Sequence, residues 1–268
     1  MKRSASCDLE AGLKRLHLPT IRRMCSPIFE QAEKESWTYR EVLEQLVAEE
    51  IANRAETRIK RSTRKAHFPF LKTIEEFDFE FQRSVRRQML GRFLGPELVE
   101  EGRSLVLLGE PGRGKTHLAI GIAYKAIQNG YDARFTTAAQ LLNDMHVAAL
   151  DGNLQDVLVQ YIAPDVLVID ELGYLSYGPD AANSLFHVVD QRYLKRKPIV
   201  ITSNKEPEEW GNVLHDPDLA EAIVDRLEEH GDVIRLKGRS YRRRKSAPSE
   251  KAGSAREELS TSCESPPP

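Results

Sequence analysis

The chain has 268 residues, with 39 Lys and Arg against 41 Asp and Glu, a net charge of −2 and 40% hydrophobic side chains. That length suits one sizeable domain with appendages, or two small ones. No apolar run approaches the roughly 18 residues of a membrane span, and Met1–Asp8 carries charge with no apolar stretch behind it, so neither a span nor a secretory signal is expected. Cys7, Cys25 and Cys263 form no CxxC pair, which argues against a disulfide framework or a zinc site and fits a reducing cytoplasm.

The near-neutral total hides an uneven distribution. Residues 1–72 hold 15 basic and 10 acidic side chains, residues 73–236 hold 16 and 27, and residues 237–268 hold 8 and 4. An acidic body between basic flanks points to a polyanionic partner; the alternative is that these charges only solvate surface helices, and composition alone leaves both open.

In chain order, residues 1–65 read as a small helical domain. Leu9, Leu13, Leu16, Ile21 and Met24 recur at helical spacing around Pro19. Thr38 with Glu41 three residues on has the form of a capping box. Behind it Val42, Leu43, Leu46, Val47, Ile51, Ala55 and Ile59 make an apolar stripe that ends in Arg54, Arg58, Lys60, Arg61, Arg64 and Lys65. These six cations are candidates to dock on phosphates, unless they are merely a solvated helix end favoured by the macrodipole.

Residues 66–242 alternate short apolar runs with amphipathic stretches, the pattern of an α/β domain with a parallel sheet between helices. The expected strands are 104–108, 133–135, 166–169, 199–202 and 233–236; the expected helices are 116–129, 138–149, 181–194 and 219–229. Residues 243–268, rich in Ser and Pro with Leu259 as the one large aliphatic side chain after residue 245, are expected to form a disordered tail.

The most specific motif is Gly109-Glu110-Pro111-Gly112-Arg113-Gly114-Lys115-Thr116, followed by His117. It matches GxxxxGK[ST] between an expected strand and an expected helix, so backbone amides and a helix N-terminus converge on one anion site. Lys115 is placed for the β- and γ-phosphates of ATP and Thr116 for Mg²⁺. The apolar run 166–169 ends in Asp170, a candidate Mg²⁺ holder, and Glu171, a candidate base for the attacking water; this pair favours hydrolysis over phosphotransfer. The run 199–202 ends near Asn204, which is placed to sense the γ-phosphate or the water. Arg226 is a candidate to reach a neighbouring subunit's γ-phosphate, and Arg242 a candidate sensor within its own chain.

Taken together, these elements resemble the AAA+ ATPases of the initiator and helicase-loader branch, and more specifically the IstB-like transposition helpers of bacterial insertion sequences. The resemblance extends to Leu13-Lys14-Arg15-Leu16-His17-Leu18-Pro19, to 68–79 around Phe77-Asp78-Phe79, to 135–138, to 170–175 and to Glu209-Trp210-Gly211, and so covers about residues 10–243. It implies an ATP-dependent homo-oligomer that binds and bends duplex DNA, then recruits and stimulates a partner transposase. A replicative helicase loader would share every ATPase motif, and a nucleotide-switched DNA-architecture protein with little hydrolysis is the remaining alternative.

One departure from the family pattern shifts the expected DNA contacts. The helical insert after the second strand lines the DNA groove in relatives, yet here no Lys or Arg occurs from Phe135 to Gln191. The expectation therefore moves to 54–65 and to Lys237, Arg239 and Arg243 in the basic run that ends at Lys245.

Overall fold

The computed structural model describes residues 8–175 and 177–242. The expected tail, with Arg243, lies outside them. Three helices come first: α1 (Leu9–Arg15), α2 (Pro19–Glu35) and α3 (Tyr39–Lys65). The capping box that opens α3 is complete, with Thr38 and Glu41 bonding each other's backbone N–H. The apolar stripe of α3 is only partly covered. Leu46 packs with Cys25 and Ile28 of α2, with Val42 at their margin, whereas Leu43, Val47 and Ile51 stay exposed. A two-helix contact has too little width to cover a stripe that spreads around the helix.

An irregular linker with the short helices α4 (Gly91–Leu94) and α5 (Glu97–Glu100) leads into the sheet. There follow β1 (Ser104–Leu108), α6 (Lys115–Asn129), β2 (Ala133–Thr137), α7 (Ala138–Asp151), α8 (Leu154–Ile162), β3 (Val166–Leu172), α9 (Ala181–Leu194), β4 (Ile199–Ser203), α10 (Trp210–Leu214), α11 (Pro217–Glu229) and β5 (Gly231–Arg235). All five strands are parallel, in the order β2-β3-β4-β1-β5. Thus β4 lies between the strand that precedes the glycine loop and the strand that ends in the two carboxylates.

Both sheet faces are buried, as near-continuous apolar strands require. Val106, Leu108, Leu167 and Ile169 pack under α7, α8, α9 and α11, while Leu105, Leu107, Val166 and Val168 pack under α6 and the linker. Two sequence expectations need correction. The last strand begins at Gly231 rather than Val233, because pairing of Ser104 with Gly231 sets its register. Helix α8 is an unforeseen element; Asn153 before it makes no side-chain cap bond, so the usual start signal is missing.

A buried guanidinium ties this body together. Arg192 on α9 has no exposed surface. It donates to the carbonyls of Tyr161 (2.8 Å), Pro164 (2.9 Å), Asp165 (2.9 Å) and Pro198 (2.8 Å). The first three lie at the end of α8 and just before β3, where helix carbonyls go unpaired, and Pro198 O, just before β4, also accepts from the Leu167 amide (3.3 Å). Burial pulls its pKa down to about 9, with Asp165 opposing the shift, so it remains a cation at neutral pH.

The C-terminal half of α3 is fastened to β2 and to the turn that leads into it from α6. Ser62 Oγ donates to Asp132 Oδ1 (2.7 Å), and the Phe135 amide donates to Ala66 O (2.7 Å). Ile59 and Ala66 join the core beneath α6.

Candidate nucleotide site and basic surfaces

The glycine loop joins β1 to α6 at the carboxyl ends of the strands, where parallel α/β sheets leave a crevice. Gly112 and Gly114 adopt φ of +81° and +94°. They are also crowded: a Cβ on Gly112 would meet Ser240 Oγ at 2.2 Å, and one on Gly114 would meet the Phe77 ring at 2.7 Å. Glycine is therefore required twice over, for its left-handed backbone and for the close packing of the linker and of residues 238–242 on the loop. The Tyr241 amide donates to Gly112 O (2.8 Å), and Arg113 Nη1 donates to Leu236 O (3.0 Å), so the segment after β5 is stitched over the loop.

Lys115 Nζ donates to the loop carbonyls of Gly109 (2.6 Å) and Glu110 (3.1 Å). Burial lowers its pKa, partly offset by Asp170, while Arg113 and Arg242 push it the same way as burial. A polyphosphate there would restore the favourable field for the ammonium. Thr116 Oγ1 lies 3.0 Å from Asp170 Oδ1 and 3.1 Å from Oδ2, so the structure joins the two residues expected to hold Mg²⁺. Asp170 is 4% exposed and also accepts from Thr202 Oγ1.

Glu171 occupies an unusual backbone state. Its φ is +62°, and the β3–β4 register shifts between Ile169 and Leu172. This bulge turns Glu171 out of strand alternation, leaves its side chain exposed next to buried Asp170, and is braced by a 3.0 Å bond from its own amide to Thr202 Oγ1. A left-handed non-glycine residue at such a point is strain held in place by its surroundings. Asn204, just past β4, has a buried Oδ1 with no hydrogen-bond partner among the described residues. Such an orphan needs a donor. Together with a confined lysine and a Thr–Asp pair, it makes a donor set that fits a nucleotide with its divalent cation.

Sequence reasoning missed Thr202, which bonds both Asp170 and Glu171, because a threonine at a strand end gives no signal of its own. It also missed the aromatic cover near the loop: Phe77 stacks edge-on with Phe79 (4.8 Å) and His117 (5.2 Å), and Phe81 with Tyr241 (5.4 Å). His117 is tied to the linker through Thr73 O (2.8 Å), and burial lowers its pKa. It thus serves as a joint between α6 and the linker.

Arg226 lies elsewhere. Its Nε donates to Asp190 Oδ1 (3.0 Å), and its guanidinium covers Phe186 (4.6 Å) and Tyr193 (5.8 Å). It lines a small cavity with Ser104, Ile199 and His230. Those residues stand at the amino ends of β1, β4 and β5, the opposite end of the sheet from Lys115, so Arg226 does not join its own chain's site.

The basic candidates divide. Arg54 bonds Glu50 Oε1 (2.8 Å) and His17 O, and Lys60 pairs with Glu56. Arg58 reaches Ile127 O (3.5 Å). Arg61, Arg64 and Lys65 make no ion pair among the described residues, and Lys237 and Arg239 are exposed beyond β5.

A strand–glycine loop–helix unit, an Asp-Glu strand and an interposed strand β4 define a P-loop nucleotide-binding protein of the AAA+ type. The family model for IstB-like ATP-binding proteins matches residues 11–249. This chain belongs to that family. It is 40% identical over 230 residues to a Geobacillus stearothermophilus protein of insertion sequence IS5376 named for ATP binding, spanning 86% of this chain and 91% of that one. It is 35% identical over 235 residues to the corresponding IS21 protein of Pseudomonas aeruginosa, spanning 88% of each. Among solved structures, the fold resembles AMPPCP-bound DnaA from Aquifex aeolicus (TM-score 0.52, 23% identity, 62% of this chain and 49% of that one). It also resembles DnaI (TM-score 0.53, 20% identity, 62% and 91%). Among the described residues no helix is long and apolar enough to cross a membrane.

Proposed function

We propose that this protein is a Mg²⁺-dependent ATPase that assembles with ATP on duplex DNA, bends it, and brings the transposase of its insertion sequence to that DNA. The observation that carries hydrolysis is the Glu171 bulge. A protein that only held ATP would have no use for a strained carboxylate beside the Thr116–Asp170 pair. Lys115 and the loop amides grip the phosphates. Thr116 and Asp170 would hold Mg²⁺, which would supply charge neutralisation to the phosphates when bound. Glu171 orients and deprotonates the water, and Asn204 Oδ1 accepts from that water or reports on the γ-phosphate side. Thr202 ties the Asp170 carboxylate to the Glu171 backbone, donating to Asp170 Oδ1 and accepting from the Glu171 amide. Arg242 acts on the nucleotide of its own chain, whereas Arg226 serves a neighbour's, consistent with its place at the other end of the sheet.

Relatives named for insertion sequences favour a transposition helper over a replicative helicase loader. The basic side chains of α3 and of the segment after β5 supply the DNA grip, since the α7–α8 insert carries none. The deciding experiment is Glu171→Gln. Turnover falls by about two to four orders of magnitude, the loss expected for a general base, while ATP binding is retained and DNA-bound oligomers persist. Turnover equal to the parent rejects the assignment. Capture of the host helicase, and not of the adjacent transposase, by the full chain rejects the transposition reading.

A further inference from the structure

A cleft of about 630 Å³ opens between the α1–α2 hairpin and α3. Its lining includes Lys14, His17, Arg22, Arg54, Arg58 and Arg61, with Glu50 as its one carboxylate. Glu50 is already committed: Oε2 accepts from the Thr20 amide (2.9 Å) and the Ile21 amide (3.1 Å), and Oε1 accepts from Arg54 Nε (2.8 Å). It caps α2 and neutralises Arg54, so it offers nothing to the remaining cations. Lys14, Arg22 and Arg61 pair with no carboxylate among the described residues, and Arg58 bonds only a backbone oxygen. The lining also carries Asn53 and Thr57, which add neutral hydrogen-bonding groups.

A solvated helix end would spread its charges along one helix. Here cations from α1, α2 and α3 are brought to a single concavity by the hairpin, some 40 residues apart in sequence. Charges of one sign in a cleft focus their field, and guanidinium forks match phosphate oxygens. We propose that this cleft is a phosphate-backbone groove that grips duplex DNA, with Lys14, Arg22, Arg58 and Arg61 as its contacts. This deepens, and rests on, the DNA-binding reading above. It differs from that reading in adding Lys14 and Arg22, and in assigning Arg54 to holding the hairpin together.

The test uses the full chain with ATP and a labelled duplex of arbitrary sequence, titrated at several salt concentrations. Lys14→Ala and Arg22→Ala should each lower the log–log salt slope by about one, and Arg22→Glu or Arg61→Glu should weaken binding at least tenfold. Arg15→Glu and Arg23→Glu change the same charge on the same helices outside the cleft and should stay within about twofold. Retained ATP binding and unchanged circular dichroism establish that each variant folds. Cleft variants no weaker than Arg15→Glu and Arg23→Glu overturn the proposal. If the parent binds duplex in that case, and Arg64→Glu or Lys237→Glu weakens it, the DNA reading survives alone. A parent that binds no duplex in any nucleotide state overturns both. Cleft variants that keep DNA affinity but lose self-association place an acidic protein surface in the cleft and also overturn the proposal.

Discussion

The ATPase body and the leading helices obtain their order in different ways. The body buries two apolar layers, one on each side of a five-stranded sheet, and its buried cation holds carbonyls through both terminal guanidinium nitrogens. The helical hairpin has a core of Cys25, Ile28 and Leu46 and leaves Leu43, Val47 and Ile51 exposed. What fixes the hairpin is polar: Glu50 capping α2, Asn53 bonded to Thr20 Oγ1 (2.8 Å), and the bond from α3 to Asp132 before β2. The body is therefore self-supporting, whereas the hairpin is a lightly held attachment whose shape depends on a few hydrogen bonds. Regions of that kind open locally at low cost.

That contrast can be broken at Arg192. Arg192→Met removes the guanidinium from the carbonyls of Tyr161, Pro164 and Asp165, leaves Pro198 O with the Leu167 amide alone, and replaces the cation with an apolar chain of similar reach. Removing a buried charged donor costs about 3–5 kcal/mol, so the whole body should melt lower by about 10 °C. A melting temperature within 2 °C or so of the parent would show that the body's order is purely apolar. Glu50→Ala should cost about 1–2 kcal/mol, confined to the hairpin. Amide exchange should quicken in α1 and α2 and hold steady in α6 and β1; uniform quickening would erase the distinction. Burial pushes the Glu50 carboxyl up, but Arg54 and the two α2 amides outweigh it and hold the pKa below the usual carboxylate value. A depressed carboxylate stabilises above its unfolded pKa and loses that contribution as pH falls through the folded value. The hairpin should therefore loosen on acidification, and Glu50→Ala should flatten that response.

The smallest effect falls inside the body. Glu171→Gly removes the catalytic carboxylate and also relieves a left-handed residue, so turnover is lost while stability rises by up to about 1 kcal/mol. A net loss of stability on calorimetry would mean that the bulge is not strained.

Legibility followed locality. The glycine loop, the carboxylate strand and the order of elements could be read because each rests on contiguous residues with a fixed period. The bulge at Glu171 could not, because it arises from register against β4. Arg192 sits in a run of polar residues that reads as surface, and only packing of α9 on α8 makes it interior. Helix α8 was hidden by its uncapped start, although Gly152-Asn153 before an amphipathic stretch was the available cue. The cleft was half legible: Arg58 and Arg61 stood out as a run, whereas Lys14 and Arg22 became relevant only when the hairpin closed.

Helix α6 runs from Lys115 to Asn129, 15 residues, or about 22 Å of rigid rod. The phosphate loop is its near end, and α3, with the basic cleft along it, meets its far end through Arg58, which donates to Ile127 O (3.5 Å). A tilt of about 5° at the loop moves the far end by about 2 Å. Geometry alone thus makes the rod a lever arm, and a change at one end is felt as displacement at the other with no intermediary in between.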